Sequence, residues 1–267
     1  MSVTAKDCRA SERVMGSLNW GNRDGAYSKG RLTPLEHLKL VGNLVRTQLV
    51  ELGDSVKDRL GLLSPVSSGL EALLPVETGL VRDSLDFAVE THDARLLHHS
   101  WRTYLFGVLL GEYAGVPFDR ELLFSAAILH DSGLINDREI QVHECCFAIS
   151  GAEVACNHLS SCGHDADTVH RVGDAIALHL NAYVSARAHG GEAYLVNRGA
   201  MCDLFGAGHR RLAKSSVDEI MHKHPRDGVI EALEFETARH LKGTRPYVLT
   251  KLTGGKAPKT AFDIYGV

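Results

Sequence analysis

Apolar positions recur at helical spacing through most of this chain. Thr33-Pro34-Leu35-Glu36 opens the first such stretch: Thr33 can cap, Pro34 suits the first helical position, and Glu36 can close a capping box. Leu38 and the apolar residues at 40, 41, 44, 45, 49 and 50 carry the stripe to about Leu52, which predicts one helix with a buried face. Residues 53–82 contain Gly53, Gly61, Pro65, Gly69, Pro75 and Gly79 and read as an irregular connector with room for one short helix. A long helix is predicted over 94–115, mixed at first and mostly apolar after Trp101. The next starts from a cap at Asp119, runs to about His130 and stops at Ser132-Gly133. Ser150-Gly151-Ala152-Glu153 has the form of a capping box and predicts a helix from there to about Leu159. Residues 167–180, 191–205, 216–222 and 226–241 read as further helices. Residues 1–32 hold Gly16, Gly21, Gly25 and Gly30 without a period and predict a loosely ordered arm over the body. After Gly243, the Pro246, Gly254, Gly255 and Pro258 positions predict an extended surface tail. No internal repeat, coiled coil or low-complexity segment is found. The fold class is therefore all-α: an arm, helix and connector at 1–82, a helical bundle at 83–245 and a tail at 246–267.

Composition narrows the partners more than the fold. At 267 residues, 44% apolar and 23% charged, the chain is an ordinary globular one with enough length for a sizeable core. Its net charge of −4 argues against nucleic acid or an anionic membrane as the main partner. No apolar run approaches the ~18 residues that a bilayer span needs. The first residues lack the apolar core of a secretory signal, so the expected location is the cytoplasm. The six cysteines form no paired knuckles and are expected to be reduced. Cys156, His158, Cys162 and His164 are closely spaced, but they fit no zinc template.

The candidate chemistry lies in His99, the pair His130-Asp131, and Asp203. Neutral imidazoles and carboxylates are good ligands for a borderline or hard divalent cation, and two of each leave coordination positions open, as a catalytic site requires. The four fall on or beside three separate predicted helices, as expected for a site inside a bundle. His130 and Asp131 emerge from the apolar run 124–129, and Asp203 lies between Met201-Cys202 and Leu204-Phe205. A buried carboxylate is costly unless paired or metal-bound. The alternative for Asp203 is a buried salt bridge with Arg102 or Arg198. His92-Asp93 and His164-Asp165 repeat the dipeptide in polar stretches and read as solvated surface. His98 and His99 point about 100° apart on a helix, so only one faces the site.

The string His99-Ser100-Trp101-Arg102-Thr103-Tyr104 followed by Gly107 resembles the cyanamide hydratase-like branch of the HD-domain metal-dependent hydrolases. The resemblance runs on through Leu129-His130-Asp131, Gly151-Ala152, residues 175–179, residues 203–206 and Pro225-Arg226, and so covers roughly 94–245. It implies an HD-domain helical bundle in which His99, His130, Asp131 and Asp203 hold one divalent metal, usually zinc. It implies addition of water to a small polar C≡N molecule such as cyanamide, with His99 rather than His98 facing the metal. The chain departs from the branch at Phe147-Ala148, where Phe-Glu is usual, which puts the substrate in question.

Around this set, Asp131, His179 and Arg102 are the candidate catalytic residues. His179 reads either as a hydrogen-bonded core histidine or as a substrate contact, proton shuttle or ligand of a second metal. His143 or His158 would have to join it for a dinuclear site of iron or manganese. Arg102 shares a helix face with His99, and either anchors a ligand carboxylate or binds an anionic substrate. Lys214, Arg210 and Arg211 read as solvated surface rather than a phosphate grip. The leading expectation is an enzyme, a metal-dependent hydratase or hydrolase with a small-molecule substrate. A nucleotide or phosphoester phosphohydrolase, a di-iron oxygenase and a non-catalytic binding domain are the alternatives. Self-association as a homo-oligomer stays open, because no interface is readable in the sequence.

Overall fold

The computed structural model describes residues 14–135, 144–229, 239–254 and 262, and among these it contains helices and no strand. The all-α expectation holds. The helices are α1 (Leu18–Gly21), α2 (Pro34–Arg59), α3 (Leu70–Leu73), α4 (Gly79–Thr91), α5 (Ala94–Ala114), α6 (Arg120–Leu129), α7 (Phe147–Ser161), α8 (Ala166–Leu178), α9 (Ala186–His189), α10 (Gly191–Phe205), α11 (Lys214–Lys223) and α12 (Arg245–Leu252). None is long and apolar enough to cross a membrane.

The centre is the pair α5 and α10, with α6 and α8 packed around it and α7 lying against α8. Residues 102–111 of α5 are buried without a break, which places this helix in the core rather than on a surface. α5 and α10 approach closely at glycine. A Cβ on Gly199 would collide with the Thr103 carbonyl and lie 3.1 Å from the Gly107 nitrogen. Gly133 works likewise in the 3-10 turn Ser132–Leu134, where a Cβ would meet the Phe147 carbonyl, so this turn sits directly on α7.

Several boundaries differ from the sequence pattern for identifiable reasons. α7 starts at Phe147, and Ser150 donates its hydroxyl back to the Phe147 carbonyl (3.2 Å) instead of capping. α4 falls partly in the expected connector. Thr78 caps it, and its buried face, Leu80, Val81, Ser84 and Ala88, carries a polar and a small residue that dilute the apolar signal. The segment after Gly243 is not extended: α12 packs inward, with Arg245, Val248 and Thr250 buried. The helix expected over 226–241 falls largely outside the described residues.

The arm from residue 14 is held firmly. Trp20 is 2% exposed, and the Asn181 amide donates to the Met15 carbonyl (2.7 Å). The capping box at α2 forms as expected, and its Glu36 also accepts from the Trp20 indole (2.6 Å) and Arg23 (2.7 and 2.9 Å). Burial pushes the Glu36 carboxyl pKa up, but the bonds from Arg23, Thr33 and Trp20 outweigh it and bring it down to about 2. A depressed folded-state pKa stabilises the fold above the unfolded value of about 4.3, and this contribution is lost as pH falls towards 2. Glu36→Gln should therefore lower the melting temperature at neutral pH and flatten its decline over that acid window. An acid limb of unchanged slope in thermal unfolding would refute the assignment.

Candidate metal centre

Four helix ends and turns bring the candidate side chains to one buried point. α5, capped by Asp93 through the Leu96 amide (2.9 Å), carries His99 and, three residues on, Arg102. His130 and Asp131 follow the last residue of α6 and lead into the turn that Gly133 seats on α7. His179 follows the last residue of α8, and Asp203 lies near the end of α10. All six side chains are buried, none more than 5% exposed.

Hydrogen bonding fixes the tautomer of each imidazole. The Nδ1 of His130 lies 2.7 Å from the Ala127 carbonyl, and that of His179 lies 2.7 Å from the Ile176 carbonyl. A carbonyl only accepts, so both Nδ1 atoms carry the proton. The Nδ1 of His99 faces the Asp203 carboxylate at 2.6 Å and donates to it in the same way. In the neutral rings each Nε2 is then a lone pair. The Nε2 atoms of His99 and His130 face each other at 3.2 Å, and Asp131 Oδ2 lies 3.4 and 3.2 Å from them. The Nε2 of His179 lies 3.6 Å from Asp131 Oδ1, with its ring edge-on to His130. Acceptors thus converge in a dry place without a donor among them, an arrangement that costs free energy unless a positive charge sits between them. His99, His130 and Asp131 have ligand atoms within 4.8 Å of one another, and this is the cluster among the described residues that fits a metal ion.

The electrostatics agree. Burial opposes ionisation of Asp131, but His130 and His99 hold its pKa well below the usual carboxylate range. Burial also opposes a charge on His99, yet Asp131 and Asp203 together raise its pKa, so a positive charge is favoured between these carboxylates, whether a proton on Nε2 or a cation in its place. Burial and the neighbouring His130 push His179 down to about 3, so it is a neutral base with a free Nε2.

Asp203 does not stand with the other three. Its Oδ1 accepts from Arg102 Nε (2.7 Å), and its Oδ2 accepts from Arg102 (2.9 Å) as well as from His99. Arg226 approaches Oδ1 at 3.4 Å. The sequence pattern implies four converging ligands; the structure places three together and the fourth behind His99, where it orients the ring, as carboxylates commonly do for metal-binding histidines. Arg102 is the anchor of that carboxylate, and its remaining nitrogen donates to the His224 and Pro225 carbonyls (3.1 and 2.6 Å).

Other candidates fall elsewhere. His98 is half-buried and turns its Nδ1 to that of His224 (3.3 Å). His98→Ala should leave bound metal per chain unchanged by elemental analysis, and metal loss would mean that the wrong histidine faces the site. His158 Nε2 reaches the Asp83 carbonyl (2.9 Å), His164 pairs with the Asp83 carboxylate (2.7 Å), and no Cys/His metal cluster forms among the described residues. His143 lies outside the described residues. Lys214, Arg210 and Arg211 pair with Asp218, Asp58 and Asp54 and form no phosphate grip. His92, expected on a solvated surface, is buried, with its Nε2 3.3 Å from the Ser132 hydroxyl. Its sequence signal is masked by Asp93, which is polar because it caps α5.

A cavity of about 690 Å³, counted with the solvent at its mouth, opens onto His99, His130, Asp131 and His179. Phe147, Leu180, Met201, Leu204, Phe205 and Leu249 make its walls apolar, while His240, Thr250 and Thr253 supply polar atoms. The α12 contribution is illegible in the sequence, because that segment reads as a tail. Among the described residues no lysine or arginine lines the cavity.

Residues 96–214 match the family model of the HD domain, a family whose members are typically metal-dependent hydrolases. The matched span contains His99, His130, Asp131, His179 and Asp203. No curated protein matches the chain.

Proposed function

We propose that the chain is a metal-dependent hydrolase or hydratase acting on a small uncharged molecule with an apolar body, with a nitrile-like C≡N compound as the best candidate. The observation that carries this reading is the convergence of His99, His130 and Asp131 at an apolar cavity that no lysine or arginine among the described residues lines. His99, His130 and Asp131 would hold a divalent cation, zinc before iron or manganese for this nitrogen-rich set. Asp203 would keep the His99 lone pair aimed at it. A cation there supplies Lewis-acid activation of water near neutral pH.

The chain's own groups supply the rest. Hydration of a nitrile delivers the oxygen of water to carbon and its protons to nitrogen, leaving an amide. His179, with its Nε2 beside Asp131, is positioned to relay a proton from the attacking water to the substrate nitrogen, and because its pKa is pushed down to about 3 the proton is passed on rather than held. The apolar walls favour a C≡N group carrying a hydrocarbon substituent over cyanamide itself, and they exclude bulk water from the reacting atoms. A phosphoester would need cationic groups to hold its charge, but Arg102 and Arg226 are engaged by Asp203, and Arg245 donates to the Ala177 carbonyl and Asn181. A dinuclear centre gains no support from His158, which is turned to Asp83.

The test is elemental analysis of the unchelated protein followed by turnover on two panels, aliphatic and aromatic nitriles with cyanamide, and nucleoside monophosphates. One zinc per chain with amide formation supports the proposal. Two irons or manganese with phosphate release or oxygen uptake would overturn it.

A further inference from the structure

The longest helix among the described residues, α2, sits with its hydrophobic stripe facing outward. Leu35, Leu38, Val45, Leu49, Leu52 and Val56 of α2 are 49–76% exposed. The residues that α2 buries against the body are Leu40, Thr47 and Asp54, seven apart and on the opposite face. A surface helix normally shows the reverse, apolar inward and polar outward.

The inward face is fastened by polar contacts. The Asn43 amide donates to the Asn181 carbonyl (3.0 Å), and Thr47 donates to the Ala182 carbonyl (2.8 Å). Asp54 pairs with Arg211 (2.6 Å), and Glu51 approaches Arg198 at 3.4 Å. Rolling the helix to bury its leucines would break these bonds and strand Asp54. The outward stripe therefore belongs to the seated helix.

The spacing identifies what the stripe fits. Positions 35, 38, 42, 45, 49, 52 and 56 alternate steps of three and four, which is the seam of a two-stranded coiled coil rather than the wider stripe of a helix resting on a globular core. The seam is apolar throughout, with Gly42 as its one small residue and no charge before Arg59. A seam of this kind is complementary to itself, so a two-fold pairing brings leucine and valine against leucine and valine without opposing like charges. Together with Leu60, the exposed side chains present roughly 800 Å² per copy, close to what one partner contributes to a stable interface and above the usual apolar patch of a monomer.

We infer that α2 is a dimerisation helix whose partner is the α2 of a second copy of this chain. A lipid surface fits less well: an interfacial helix sends the face opposite its apolar stripe to water, whereas that face of α2, with Thr47, Glu51 and Asp54, is seated on the body.

The test is sedimentation equilibrium of the full chain over a wide concentration range, for the natural sequence, for Leu49→Glu with Leu52→Glu, and for Leu62→Glu as an exposed control off the seam. The natural protein and the control should show twice the chain mass of 29.1 kDa. The double variant should show a single chain mass with unchanged helical circular dichroism, since both leucines are solvent-facing in the protomer. A bifunctional crosslink mapped between the α2 segments of two copies gives a second readout if the double variant fails to fold. A natural protein that stays monomeric throughout, a dimer that survives both glutamates, or a monomer that binds neutral or anionic vesicles through these leucines would each overturn the inference.

Discussion

Asp131→Ala should give a folded, fully helical protein that retains no metal and turns over no substrate. Asp131 is the carboxylate of the candidate cluster and the group both facing imidazoles share, at 3.4 and 3.2 Å from their Nε2 atoms. Without it two neutral histidines remain, too few for a divalent ion to be held tightly. The loss should exceed the 10- to 100-fold typical of a partner behind a ligand, and activity should fall with metal content. The fold should survive, because the Asp131 side chain caps no helix, and the turn after it rests on the Leu134 amide to Asp131 carbonyl bond (2.8 Å) and on Gly133 against α7. Elemental analysis, circular dichroism and the turnover panel decide the matter. Full metal content in the variant would remove Asp131 from the ligand set and the proposed function with it.

Elements whose burial is nearly complete are legible in this sequence, and those whose orientation depends on a neighbour are not. α10 is predicted over 191–205 and found there, and α5 differs from its expected span by one residue, because each ends at a clear stop signal, Gly206 and Gly115. The stripe of α2 is legible as a period but not as a direction. The pattern is the same whether the leucines meet the core or another chain, and only the polar contacts of Asn43, Thr47 and Asp54 settle which. α12 is missed because glycine and proline around it outweigh an eight-residue apolar signal. The site shows the same division. The sequence marks His99, His130, Asp131 and Asp203 as one constellation, but it does not tell which carboxylate joins the two facing imidazoles and which stands behind one of them. That distinction lies in which imidazole nitrogen faces Asp203, a matter of rotation about one side-chain bond.

The second large effect separates these roles. Arg102→Met should destabilise the protein by about 3–5 kcal/mol, the usual cost of leaving one member of a buried ion pair without its partner. In a chain of this size that corresponds to a fall of roughly 10 °C in melting temperature. Both residues are fully buried, and Arg102 meets Asp203 through two nitrogens while also satisfying the His224 and Pro225 carbonyls, so the loss spreads over four bonds. Lysine would not restore it, since an ammonium lacks the planar fork that reaches both carboxylate oxygens. Asp203→Asn tests the other side of the pair. If Asp203 orients His99 from behind, the amide keeps the shape but weakens the bond to Nδ1, and metal affinity should fall by about 10- to 100-fold while remaining measurable. If Asp203 instead swings in as a fourth ligand, the variant should lose metal as Asp131→Ala does. A melting temperature of Arg102→Met within a degree or two of the natural protein would show that the carboxylate is neutralised by something other than this guanidinium. Arg226 and His99 are then the groups to remove next, because they are its remaining neighbours.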